Sequence, residues 1–126
     1  MMDKKMYDAG MKLRREVVGA DYVDKAMASA DELTADFQQF VTEYCWGAVW
    51  TREGLSHRDR SVLNLGMLTA LGKPAELKLH LRGALTNGVT REEIREILMQ
   101  TAVYCGVPAA MEGFRMAREV FAELDA

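Results

Sequence analysis

The residues best placed for chemistry are Glu76 and His80, four apart in Pro74-Ala75-Glu76-Leu77-Lys78-Leu79-His80. On a helix they share a face one turn apart. A carboxylate there orients an imidazole and raises its affinity for a proton, which is the equipment of acid–base catalysis. Gly83, one turn on, removes side-chain bulk beside the ring and leaves space for a small molecule. The same spacing also describes an ordinary surface pair worth a few tenths of a kcal/mol, the commoner case. His57 lies in His57-Arg58-Asp59-Arg60, where a solvated first helical turn is the simpler reading. Neither histidine has a partner at metal-ligand spacing, so no metal site is expected.

Arg58 and Arg60 precede an uncharged helix, and Arg82 is a further candidate cation two residues after His80. Each is either a surface charge or a bidentate partner for a carboxylate at a pocket mouth. Glu43, Tyr44, Trp46 and Trp50 form an aromatic cluster with an acid inside it, read as core or as a pocket wall. Cys105, with no histidine near it in sequence, reads as a small buried hydrophobe rather than a nucleophile.

These residues need helices to hold them. Ser56 caps a helix, with Asp59 three residues on. Ser61 to Gly72 carries no charge, and its apolar residues point nearly all round the axis. Such a helix must be buried in a core or against a second subunit. Gly72 ends it, Pro74 opens the next, and Asn87-Gly88 stops that one. Thr90-Arg91-Glu92-Glu93 is a capping box for a helix with Ile94, Ile97, Leu98, Thr101, Ala102 and Cys105 in one stripe. Met99 and Val103 fall off that stripe and suggest a subunit contact. Pro108 starts a last helix to about Leu124, with Met111, Phe114, Ala117, Val120, Phe121 and Leu124 inward. Upstream, helices are expected over Lys4–Val18, from Tyr22 to about Ala30, and from about Thr34 to Trp46. In that third helix Phe37, Phe40, Val41, Tyr44 and Cys45 recur at helical spacing. The run 46–50 then leads into a loop. No alternating Val/Ile/Thr-rich run suggests strands.

The whole is therefore expected to be all-α, one domain over residues 1–126, a helical bundle of about six helices that oligomerises. At 126 residues such a chain buries about two thirds of its unfolded surface. Its net charge of −3, with no basic stripe, argues against nucleic acid. No membrane span and no export signal are apparent, and the two separated cysteines fit free thiols in the cytoplasm.

Four stretches resemble the carboxymuconolactone decarboxylase family: Glu43-Tyr44-Cys45-Trp46-Gly47, Leu55 to Ser61, the run from Pro74 to Gln100, and Tyr104-Cys105-Gly106-Val107-Pro108-Ala109-Ala110. The resemblance spans about Glu43 to Phe121. It implies an all-helical, alkylhydroperoxidase-like fold assembled as trimers or hexamers. Thiol peroxidases of that superfamily carry CxxCxxxH after an earlier glutamate. Here those positions hold Lys73, Glu76, His80 and Ser61, so only the histidine remains and disulfide exchange is not expected. What the resemblance implies instead is loss of carbon dioxide from 4-carboxymuconolactone to give 3-oxoadipate enol-lactone, without a cofactor. In that scheme His80 delivers a proton or stabilises an oxyanion, Glu76 sets its orientation and charge, and Glu43 is a second proton carrier. Arg58, Arg60 or Arg82 holds the substrate carboxylate, and Trp46 and Tyr104 line the site.

Overall fold

Each helix starts where the sequence offers a cap. In the computed structural model, which describes residues 3–126, Asp3 accepts the Met6 N–H and opens α1, Lys4–Val18. Gly19 separates it from α2, Ala20–Ala28, and an Asx turn at Asp31 leads to α3, Ala35–Phe40. The chain does not loosen at the aromatic run as expected. It continues as a π-helix over Val41–Val49, with the Trp50 N–H bonded to the Cys45 carbonyl. Ser56 accepts from the Asp59 N–H to begin α4, His57–Leu71, which ends on left-handed Gly72. Then come α5, Pro74–Thr86, and α6, Arg91–Cys105, started by a complete Thr90/Glu93 capping box. The last helix is α7, Val107–Asp125. The fold is thus all-α, with seven α-helices among the described residues rather than about six.

The chain packs as two compact units, one running to Leu55 and the other from Ser56. In the first, α1 lies against the π-helix. The contact is backbone to backbone. A Cβ on Gly10 would sit 2.6 Å from the Gly47 nitrogen and 2.9 Å from its Cα. The buried residues of the π-helix are Thr42, Glu43, Trp46 and Gly47, and α3 has none. Phe37, Phe40 and Tyr44, expected inward, are exposed instead. The reason is Arg14 on α1. It is buried, and its guanidinium donates to Thr42 Oγ1 at 3.1 Å and to Gln38 Oε1 at 3.0 Å. A buried cation must be hydrogen-bonded, so the polar edge turns toward α1 and the aromatic edge faces out.

In the second unit α4 packs on α5, α6 and α7, and the core is Leu65, Leu77, Leu81, Ala84, Val89, Ile94, Leu98, Ala117 and Val120. Helix α4 is not buried all round within the chain. Ser61, Leu65 and Thr69 face inward, while Leu63, Met67 and Leu71 are exposed. Helix α7 also turns a different edge inward from the one its large residues suggest. Ala110, Gly113, Ala117 and Val120 form the seam, and Met111, Phe114 and Leu124 are exposed. A Cβ on Gly113 would come 2.7 Å from Leu98 Cδ2 and 3.1 Å from Thr69 Cγ2, so small residues set this approach. Cys105 is exposed, contrary to expectation, because the last turn of α6 runs past the buried face formed by Ile94, Leu98 and Thr101.

Candidate active site

The antiparallel hairpin of α4 and α5 carries a row of polar side chains along its inner seam. Positions 57, 60, 61 and 64 of α4 recur at three- and four-residue steps and share one face. From α5, Asn87 donates through Nδ2 to Ser61 Oγ at 2.9 Å and to the His57 carbonyl at 3.4 Å. Two turns back along α5, His80 meets Asn64, with Asn64 Nδ2 3.5 Å from His80 Nδ1. The ring is half-buried, Gly83 beside it is buried, and Glu76 one turn earlier is exposed.

This changes the electrostatic expectation for His80. Glu76 does raise the proton affinity of the ring. Burial lowers it more, so the pKa ends below the ordinary histidine value of 6.5. The imidazole is therefore neutral at pH 7, and a neutral ring presents one N–H donor and one acceptor.

The arginines separate. Arg58 pairs with Glu93, whose carboxyl is held below the usual range by the Thr90 backbone N–H and by that guanidinium. Arg82 pairs with Glu123 on α7, which Lys78 also reaches at 2.6 Å. Arg60 lies one turn before Asn64 on the same face of α4 and is half-buried. Of the three expected carboxylate partners, it is the one that shares the histidine's seam.

Tyr104 is on the other flank of α4. It is 81 % exposed and lines a largely apolar groove of about 400 Å³ between α4 and α6, with Leu63, Gly66, Met67, Thr101 and Cys105. Glu43 and Trp46 belong to the N-terminal unit. Trp46 is buried and stacked on Trp50, ring centroids 4.7 Å apart. Glu43 is buried in the π-helix and accepts the Asp3 N–H at 3.0 Å through Oε1. Its Oε2 has no hydrogen-bond partner among the described residues. No cluster of His, Cys, Asp or Glu suited to a metal ion occurs among the described residues. No helix is long and apolar enough to cross a membrane.

Sequence reasoning passed over Asn64. A signal was available, since Ser61, Asn64 and Thr69 are the only hydrogen-bonding side chains in the uncharged run of α4. A polar side chain on a helix that packs by its apolar atoms needs a partner.

A half-buried histidine faced by an amide across a helical seam, with a carboxylate one turn before it, is the feature of this all-helical protein that has the chemistry of an acid–base group. Residues 35–119 match the model of the carboxymuconolactone decarboxylase family, and the chain belongs to that family. It is 38 % identical over 124 residues to 4-carboxymuconolactone decarboxylase of Acinetobacter baylyi, covering 98 % of this chain and 92 % of that protein. It is 39 % identical over 123 residues to nitrosuccinic acid decarboxylase npaB of Metarhizium robertsii, covering 98 % and 86 %. An uncharacterised 15.0 kDa protein of Paracoccus denitrificans is 33 % identical over 101 residues, or 79 % of this chain and 75 % of that one.

Proposed function

We propose that this protein decarboxylates 4-carboxymuconolactone to 3-oxoadipate enol-lactone without a cofactor, as a homo-oligomer in the cytoplasm. The observation that carries the reading is His80: a half-buried ring, neutral at pH 7, facing Asn64 across a helical hairpin that lies within the residues matched to the family.

The bond that breaks joins the carboxylate to a ring carbon conjugated through a double bond to the lactone carbonyl. Carbon dioxide leaves, and the electron pair moves through the double bond onto the carbonyl oxygen as a dienolate. A neutral imidazole is a poor proton donor to carbon and a good hydrogen-bond donor to a growing oxyanion. Of the two roles expected for His80, the lowered pKa therefore favours oxyanion stabilisation. Arg60 holds the acetate arm in this scheme. Glu76 steadies the ring electrostatically. The carbon next to the carbonyl then takes a proton from water, which collapses the dienolate to the enol-lactone. The exposed apolar residues of α4, α6 and α7 are read as subunit contacts in a trimer or hexamer.

A second reading is favoured by the 39 % identity to the nitrosuccinic acid decarboxylase. In a nitrosuccinate the nitro group takes the electron pair as a nitronate, and a second carboxylate again sits one carbon away. Both substrates are dicarboxylates whose leaving electrons land on oxygen.

Purified protein is incubated in parallel with the lactone and with nitrosuccinate, following carbon dioxide release. Faster turnover of the lactone supports the first reading, and faster turnover of nitrosuccinate moves the assignment to the second. Inertness toward both overturns both.

A further inference from the structure

The chemistry proposed for His80 depends on which ring nitrogen carries the proton. Across the helix seam the side chain that faces Nδ1 is that of Asn64. Its Nδ2 stands 3.5 Å from His80 Nδ1, across the α4–α5 seam. An amide nitrogen only donates, so a hydrogen bond along this line needs the lone pair of the ring nitrogen it faces. A neutral imidazole accepting at Nδ1 carries its proton on Nε2. The 3.5 Å separation is at the long end of hydrogen-bonding distance.

We propose that Asn64 is a positioning residue that holds His80 in the Nε2–H tautomer and aims that N–H at the substrate oxygen. The mechanistic use of this N–H rests on the decarboxylase reading, but the tautomer itself does not. Three features of the seam support the assignment. Asn64 is half-buried, so its amide has limited access to water as an alternative partner. The adjacent rung of the seam is also amide-held, with Asn87 Nδ2 donating to Ser61 Oγ at 2.9 Å. A donor at Nδ1 also opposes a second proton on the ring, in the same direction as burial. The charged groups on this seam are Glu76, one turn before His80 on α5, and Arg60, one turn before Asn64 on α4. An acceptor in place of Asn64 reverses the arrangement: it draws the proton onto Nδ1 and leaves Nε2 with a lone pair aimed at an oxyanion.

The test is the tautomer, read by long-range 1H–15N correlation on histidine-selectively labelled protein at pH 7.5. The chain has two histidines, and a His57→Gln sample assigns the signals. In the unmutated protein the His80 Nε2 resonance is expected in the protonated, pyrrole-like range and Nδ1 in the pyridine-like range. Asn64→Leu should introduce the second tautomer, and Asn64→Asp should move the proton to Nδ1. Circular dichroism and mass measurement confirm that each variant folds and assembles. An unmutated protein with its proton on Nδ1 overturns the proposal, as does an Asn64→Leu spectrum identical to the parent. In the lactone assay Asn64→Asp should lose about a hundredfold in kcat with KM little changed. Absence of turnover in the parent protein, with the tautomer as expected, removes the decarboxylase reading and leaves the Asn64 assignment standing.

Discussion

The Ser61 hydroxyl accepts the Asn87 amide at 2.9 Å, one rung along the helix seam from the point where Asn64 meets His80. Ser61 is fully buried, and Asn87 ends α5. The bond therefore fixes the register of the hairpin that carries the histidine. Ser61→Ala strands a partly buried amide and is expected to cost about 1–2 kcal/mol in urea unfolding. Loss of stability without any change in the His80 ring signals would show that the two rungs act independently.

The close approach of α1 to the π-helix is as demanding as any core contact. Gly10→Ala would drive a methyl into the Thr42 carbonyl and the Gly47 backbone. Backbone cannot turn aside as a side chain does, so the substitution should lower stability by about 3 kcal/mol. Gly54→Ala is the control in the same unit, with no atom within 4 Å of the new Cβ. Its thermal midpoint should stay level or rise slightly, since alanine reduces the freedom of the unfolded chain.

His80 should leave a mark on stability against pH. Folding lowers its pKa below the ordinary 6.5 because burial outweighs the attraction of Glu76. Below about that pH the unfolded chain takes up a proton that the folded protein still refuses. Stability is therefore whole above the unfolded pKa and declines as pH falls, until the folded pKa is reached. Denaturant titrations from pH 7.5 down to 5 should find this decline reduced in His80→Gln. Parallel curves for parent and variant would mean that the ring is not desolvated.

How far the sequence reveals this molecule depends on what kind of force fixes each feature. Caps and breaks are local, and Ser56, Gly72, Pro74 and the Thr90/Glu93 box all mark helix ends where the sequence places them. Which edge of a helix turns inward is not local. The Phe37, Phe40 and Tyr44 stripe looked like the packing face, yet it is exposed because Arg14, a turn past Gly10 on another helix, needs Thr42 and Gln38. The large residues of α7 misled in the same way, since Gly113 admits Leu98 and Thr69 only along a small-residue edge. At the candidate site, Glu76 and His80 were legible from their spacing. The outcome of their competition with burial was not, and neither was Asn64, because both depend on a neighbouring helix.

Among the arginines, the seam separates one from the others. Arg60 lies one turn before Asn64 on the same face of α4, whereas Arg58 pairs with Glu93 of α6 and Arg82 with Glu123 of α7; the ground for choosing Arg60 is its place on the helix face. If Arg60 holds the substrate carboxylate, Arg60→Ala should raise KM for the lactone at least tenfold. Arg82→Ala, which removes an exposed ion pair, should leave KM within about twofold and stability within about 1 kcal/mol. Equal KM effects from both would remove Arg60 from the carboxylate site.

The second unit leaves several large apolar side chains exposed on three of its helices. Leu63 and Met67 on α4, Met99 and Val103 on α6, and Met111 and Phe114 on α7 are all exposed, Val103 at 80 %. Patches of this kind mark contacts with another chain, and the charge-free stretch of α4 is the part a second copy would cover most readily. A charge there must be desolvated on assembly, at a cost no neighbouring carboxylate or ammonium offsets. Met67→Glu and Val103→Glu should therefore convert an assembly of three or six times 14.1 kDa into single chains on light scattering. Helicity should be kept, because neither side chain packs in the core of its own subunit. A parent protein that runs as a 14.1 kDa monomer at micromolar concentration would remove the assembly from the functional reading. It would also leave the exposed edge of α4 to some other partner.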